Sequence, residues 1–280
     1  MHERNRSGSP LHWQSQLLLL IVVPVCCVWI FLQATSARVF HNLIFLQAAG
    51  LSITFGLLVW LTRSATGYAA ATGAVIAACL YLRTPGWRTA LLPLVVMLVL
   101  TLTATRIGRA RKEQLSTAEA RRGRRASQVA ANLGVAALVA IPIFSPSSRT
   151  SLAILAAIAA ALAEAAADTL SSELGQVFGG QPRLLTTLKP VPIGTDGGIT
   201  LAGTTMGCIG AAIVTATSGI AFSFDLKTSV TVFFCAVLGL FADSFLGAVF
   251  ERCGWLNNDA VNFLSTLIAA LAASLCVSHN

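Results

Sequence analysis

The chain has 280 residues, of which 55% are hydrophobic and only 11% charged, with a mean hydropathy of +0.76. Soluble domains carry about 25% charged residues, so this composition excludes a soluble globular protein and points to a chain embedded in a bilayer. The formal net charge of +8 does not mark a nucleic-acid binder, because the basic stretch lacks aromatic residues and no nucleic-acid-binding motif accompanies it.

Crossing a bilayer core of about 30 Å takes about 20 apolar residues in a helix. In chain order, nine stretches of about that size stand near residues 15–32, 39–61, 66–82, 88–105, 128–144, 150–168, 199–221, 229–250 and 260–278. None shows the period-two alternation of a membrane barrel, and backbone groups in hydrocarbon must be satisfied within their own segment. The predicted fold is therefore all-α, a polytopic transmembrane helical bundle of seven to nine spans. The first apolar run follows Arg4 and Arg6 and has Ala34 and Ser36 near a signal-peptide-like cleavage point. In a chain otherwise built of spans, an uncleaved first span is the simpler expectation. The organisation read from these runs is a cytoplasmic N-terminal tail (1–14), early spans (15–105), a basic cytoplasmic loop (106–127) and a transmembrane region carrying the motif loops (128–280).

The segment Arg106 to Arg125 holds eight Lys and Arg against two Glu, which the positive-inside rule places in the cytoplasm. Alternating from there brings the N-terminus and the loops near 63, 173–198 and 251–259 to the same side. That side gathers fourteen Lys and Arg, against five (Arg38, Arg83, Arg88, Arg149 and Lys227) on the other. The basic loop reads either as an orientation signal touching anionic lipid head groups or as a collector of a phosphate-bearing substrate. The seven cysteines are scattered without a CxxC pair, and read as small hydrophobes rather than a disulfide framework. The small residues Gly203, Gly207 and Gly210 predict close helix packing.

Four segments carry the chemistry. In AEAAADTLSSELGQVFGG, Glu164 and Asp168 share a helical face that Ser171, Ser172 and Gly175 continue, and Glu173 follows. Ionisable groups in a span mark a site by default; the alternative is a helix end whose carboxylates meet water or pair with Arg183 and Lys189. In TTLKPVPIGTDGGIT, two prolines and three glycines rule out a regular helix. Gly194, Gly197 and Gly198 can form a concave turn of N–H groups that binds phosphate with help from Lys189, or can simply close a tight loop. In FADSFLGAVFER, Asp243, Gly247 and Glu251 step at four-residue intervals, with an interhelical hydrogen bond as the plainer role for Asp243. In WLNNDAVNFLST, Asn257 or Asn258 suits a helix cap, which leaves Asn262 unexplained.

Together Asp168, Glu173, Asp196, Asp243 and Asp259, with Asn258 and Asn262, supply hard oxygen ligands suited to Mg²⁺. His2, His12, His41 and His279 stand at the ends or in an early span, which argues against a histidine-based zinc site.

ADTLSSELG, TTLKPVPIGTDGGIT, DSFLGAVFE and NNDAVNFLST, in this order and spacing, resemble the integral membrane family that includes plant phytyl-phosphate kinase and animal transmembrane protein nineteen. The basic segment leading into RRASQVAANLG is similar as well, and the resemblance runs over about residues 50–278, strongest from 106 onward. It implies phosphoryl transfer from CTP or another nucleoside triphosphate to a prenyl monophosphate such as phytyl phosphate. On that reading Asp168, Glu173 and Asp243 bind metal and act in catalysis. Lys189, Gly194, Thr195, Asp196, Gly197 and Gly198 bind phosphate, and Asn258, Asp259 and Asn262 position the triphosphate or metal. With no transit peptide ahead of the spans, a bacterial inner membrane is the expected location. The competing class is an ion-coupled transporter or lipid-phosphate flippase using Asp168 and Asp243 as coupling sites; a non-catalytic scaffold is a third.

Overall fold

The computed structural model describes residues 12–36, 43–118, 123–141 and 152–278. Arg4, Arg6, Arg38, Arg121, Arg122 and Arg149 of the charge tally, and His2, His41 and His279, lie outside these residues. Helices fall on every predicted span: α1 (His12–Ser36), α2 (Leu43–Leu61), α3 (Gly67–Arg83), α4 (Leu91–Arg106), α6 (Ala126–Ala140), α7 (Leu152–Phe178), α8 (Leu201–Phe222), α9 (Leu226–Leu246) and α10 (Asn258–Ser278). Between α4 and α6 a short helix, α5 (Arg109–Gln114), interrupts what the sequence presented as a continuous basic loop. Six of these helices are long and apolar enough to cross a membrane, whereas α3, α4 and α6 have 17, 16 and 15 residues. The protein is an integral, multi-pass helical membrane protein.

Contacts between connecting segments show that successive helices run alternately up and down. At one end, which we term the loop end, Arg106 donates to the carbonyl of Thr62 (3.3 Å) and Gln14 donates to that of Trp255 (2.8 Å). Gly197 also approaches Gly247 there. At the opposite end the Arg88 side chain donates to Ser223 Oγ. The loops expected to share the cytoplasmic side therefore meet at one end of the bundle.

The Ala-rich helix α7 is the axis, packing against α4, α6, α8, α9 and α10. Alanine suits this place because lipid supplies little hydrophobic drive between helices, so stability depends on close backbone approach. The face of α8 toward α7 is glycine: a Cβ on Gly203 would stand 2.8 Å from the Ser171 carbonyl oxygen, and one on Gly207 would stand 2.9 Å from that of Ala167. The expected close packing of these glycines is what the structure contains. Large apolar side chains such as Leu20, Phe31, Leu58 and Phe234 point outward, as lipid contact requires. Helix α1 continues through Pro24 and buries Val22, Cys26 and Trp29 in the core, so the first span is a structural member of the bundle. All seven cysteines are free; Cys26, Cys79 and Cys235 are buried, while Cys27, Cys253 and Cys276 are exposed.

Two local features lay beyond pattern reading. The Pro- and Gly-rich segment forms a minimal antiparallel ribbon, β1 (Arg183–Leu184) with β2 (Gly198–Ile199). Helix α9 gives way to a π turn over Gly247–Glu251, closed by the Arg252 N–H on the Gly247 carbonyl (3.2 Å). The wider turn breaks the four-residue stepping expected from Asp243 to Glu251. Glu251 still lies near enough to Asp243 to interact with its charge.

Candidate functional site

The acids of α7 lie below the loop end. Glu164 is 1% exposed, and its side chain occupies space that Gly239 of α9 leaves open, since a Cβ there would stand 2.5 Å from Glu164 Cγ. One turn onward, Asp168 is half-buried and within hydrogen-bonding reach of Asp243 on α9. Ser265 of α10 adjoins both Glu164 and Asp243. Glu164 Oε1 and Asp243 Oδ1 are buried without a hydrogen-bond partner. Such an orphan costs about 1–3 kcal/mol, a cost that a proton or a bound cation would relieve. Glu164 was singled out with Asp168 on its spacing, but its pairing with Gly239 could not be read from sequence.

Glu173 has a different setting. Its Oε2 accepts from Lys112 Nζ at 2.6 Å, and its Oε1 accepts from Thr105 Oγ1 at 3.4 Å. Lys112, 1% exposed, also donates to the carbonyls of Ala104 (3.0 Å) and Thr105 (2.8 Å) at the end of α4. The pair formed by Glu173 is thus with Lys112 of the basic segment. Arg183, one of the partners considered from sequence, instead donates to the Leu188 carbonyl (2.9 Å).

The ribbon loop abuts the π turn that follows Asp243. Gly197 has φ +72°, and a Cβ on it would stand 2.4 Å from Ala248 N; one on Gly194, at φ +83°, would stand 2.8 Å from Thr117 Cγ2. These glycines serve close approach as well as the turn itself. Two amides of the expected phosphate nest are spent internally, Thr195 N–H on the Pro192 carbonyl (3.3 Å) and Gly198 N–H on that of Thr195 (3.0 Å). Lys189, Gly194 and Asp196 are exposed, with Gly198 half-buried in β2.

At the start of α10, Asn258 donates to Asn262 (3.3 Å), Asn262 to Asn132 of α6 (3.2 Å), and Asn132 to the Gln128 carbonyl (2.8 Å). This amide ladder explains Asn262, which capping could not; Asn132, 7% exposed, lies in the RRASQVAANLG stretch but is not among the expected site residues. Asn257 is the residue that caps α10, accepting from Ala260 N–H at 2.9 Å. Asp259 is 4% exposed and accepts from Ser15 Oγ at 2.6 Å, so its carboxylate docks α1 onto α10.

Among the described residues, no three His, Cys, Asp or Glu side chains are arranged to hold a metal by themselves. Mg²⁺, however, commonly takes one or two carboxylates and completes its shell with water and substrate phosphate. Asp168 and Asp243, with an unpartnered Asp243 oxygen, fit that mode.

The comparisons with known proteins agree with this architecture. An uncharacterized membrane protein of Methanocaldococcus jannaschii is 40% identical over 112 residues, 39% of this chain and 45% of the relative, so the chain spans under half of that protein's length. An uncharacterized membrane protein of Synechocystis is 32% identical over 219 residues, 76% of this chain and 81% of the relative. Protein VTE6, chloroplastic, of Arabidopsis thaliana is 26% identical over 234 residues, 80% of this chain and 70% of its own. No solved structure matches. The family model described as integral membrane protein DUF92 matches residues 50–270, and the chain belongs to that family.

Proposed function

We propose that the protein is a membrane phosphotransferase that moves a phosphoryl group from a nucleoside triphosphate, CTP foremost, to phytyl phosphate or a related prenyl monophosphate, giving the diphosphate. The observation that carries this reading is the Asp168–Asp243 pair with its orphaned oxygen, set among the loop-end segments. The motif resemblance to the family of phytyl-phosphate kinase and the likeness to VTE6 support the acceptor class. The membrane setting, for which a bacterial inner membrane is the proposed host, lets a prenyl chain lie among apolar helices while its phosphate meets the loop end.

An acceptor phosphate oxygen attacks the γ-phosphorus, and the bond from that phosphorus to the β-bridging oxygen breaks, releasing the nucleoside diphosphate. A dianionic acceptor needs no proton removed, so catalysis rests on positioning and charge neutralisation. Mg²⁺ held by Asp168 and Asp243 would supply that neutralisation. The ribbon loop from Lys189 to Gly198, which carries Thr195 and Asp196 just ahead of β2, would receive the triphosphate; Asn258 and Asn262, joined to Asn132 in the amide ladder, would help position it or the metal. Glu173, clamped by Lys112, shapes the wall next to Asp168, and Asp259 holds α1 in place.

Asp168→Asn and Asp243→Asn preserve side-chain size and remove charge. Each is expected to lower turnover at least ~100-fold, the equivalent of about 2.7 kcal/mol in barrier, with elution and thermal stability retained. Full turnover in either variant contradicts the assignment. One observation favours a second reading: Glu164 lies about 21 Å along α7 from Phe178, at 1.5 Å per residue. A carboxylate so deep in a span suits an ion-coupled carrier or flippase, whose signature is flux across sealed vesicles without nucleotide hydrolysis.

A further inference from the structure

We propose that Arg124 is the fixed cation that receives the phosphate of the lipid acceptor beside the Asp168–Asp243 pair. The inference rests on the prenyl-phosphate reading above and adds to it the residue that recognises the acceptor.

The charges of the basic segment are not equivalent. Lys112 is spent on Glu173, Arg109 pairs with Glu113 on the surface (3.0 Å), and Arg106 donates to the Thr62 carbonyl. Arg124 reaches into the bundle instead: its Nη2 donates to Thr169 Oγ1 of α7 at 3.4 Å, and its charge acts on Asp168, the neighbouring residue. Its backbone is tied on both sides to the turn between α2 and α3. Arg124 N–H donates to the Ser64 carbonyl, and Thr66 N–H donates to the Arg124 carbonyl, both at 3.0 Å. Gly123 before it has φ +78°, and a Cβ there would stand 2.5 Å from the Ser64 carbonyl carbon. A residue needed only to orient the chain in the membrane requires no such anchoring. Fixing the backbone of a long side chain lowers the entropy lost when it grips a ligand.

A guanidinium has five N–H donors in a planar fork that matches phosphate oxygens. Among the described residues, Thr169 is the one hydrogen-bond partner of the Arg124 side chain, and the bond is long. Donor capacity therefore remains beside the carboxylates. A phosphate seated there also faces Asp168, so its binding depends on a divalent cation between the two anions.

The test uses the full chain in detergent with Mg²⁺ and no nucleotide, with labelled geranylgeranyl monophosphate and geranylgeraniol as probes. Wild type should retain the monophosphate at least tenfold better than the alcohol, and omitting Mg²⁺ should erase the preference. Arg124→Gln should bring the monophosphate to the level of the alcohol, with alcohol retention unchanged. Arg124→Lys should be intermediate, and Arg125→Gln, one residue along and exposed, should match wild type. Inorganic phosphate should compete only at much higher concentration, which separates the lipid-borne phosphate from the free ion. A wild type without preference, an Arg124→Gln protein that keeps the preference, or equal loss of both probes overturns the proposal. So does weakened CTP retention with unchanged monophosphate retention. A preference lost in Arg124→Gln, together with no diphosphate formed from any nucleotide, refutes the kinase and leaves the assignment of Arg124 standing.

Discussion

The Lys112–Glu173 pair offers a sharp energetic prediction. Lys112 is 1% exposed and Glu173 12% at the side chain, with 2.6 Å between Nζ and Oε2. Breaking such a pair from one side costs about 3–5 kcal/mol, because a charge is stranded away from water. The two sides are not equivalent. Glu173→Gln removes the countercharge of Lys112, which is 1% exposed and is left with neutral acceptors such as the Ala104 and Thr105 carbonyls. Lys112→Met leaves Glu173 without its cation, but Glu173 reaches water at its exposed edge and keeps the long Thr105 Oγ1 hydrogen bond from α4. We expect about 3 kcal/mol for Glu173→Gln and about 2 kcal/mol for Lys112→Met, the latter reduced by that exposure. The double variant should cost less than the sum by about 2 kcal/mol, well outside the additivity of independent sites. Unfolding can be followed through reaction of the buried thiols Cys26, Cys79 and Cys235 after the exposed ones are blocked. Each kcal/mol should move the midpoint by about 2–4 °C in a chain of this size. Additive costs within about 0.5 kcal/mol would show that the pair is not coupled and refute the reasoning.

Three further outcomes follow from local geometry. Gly197→Ala places a Cβ at φ +72° against Ala248 N, so at least the ~1–2 kcal/mol of a left-handed L-residue is lost; because the clash falls on the turn after Asp243, turnover should fall with it, measured beside Gly180→Ala, where nothing lies within 4 Å. Ser15→Ala removes the donor to the buried Asp259 and should cost about 1.5–3 kcal/mol, seen as faster thiol reaction of Cys26. Asp225 accepts from Thr228 at the start of α9, and the side-chain and backbone hydrogen bonds of Thr228 hold its carboxyl below the ordinary range. Its contribution is thus complete above the unfolded value near 3.9 and lost as pH falls through the lower folded value; Asp225→Asn should flatten the stability profile in that acidic window.

The spans were legible because apolar length is dictated by the bilayer and needs no tertiary knowledge, and the Glu164–Asp168 spacing was legible because helical periodicity alone puts them on one face. What stayed hidden depended on partners distant in sequence. Lys112 finds Glu173 61 positions away, and Ser15 finds Asp259 244 away. No local pattern reports such pairings, so Glu173 read as a ligand or a partner of Arg183 and Lys189, and Asp259 as a ligand, with no sign of Lys112 or Ser15. Gly194 and Gly197 read as a phosphate nest from composition, whereas Gly197 is also required by the backbone of Ala248 pressing on it. The π turn escaped notice because Gly247 to Glu251 carries no residue that a regular helix forbids.

The measurement closest to the central claim is transfer of label from γ-labelled nucleotide to a prenyl monophosphate by the purified protein with Mg²⁺. The account predicts labelled prenyl diphosphate with CTP or another of the four nucleotides, and its loss in Asp168→Asn. No labelled lipid with any nucleotide, alongside nucleotide-independent movement of prenyl phosphate across sealed vesicles, would contradict it and establish a carrier.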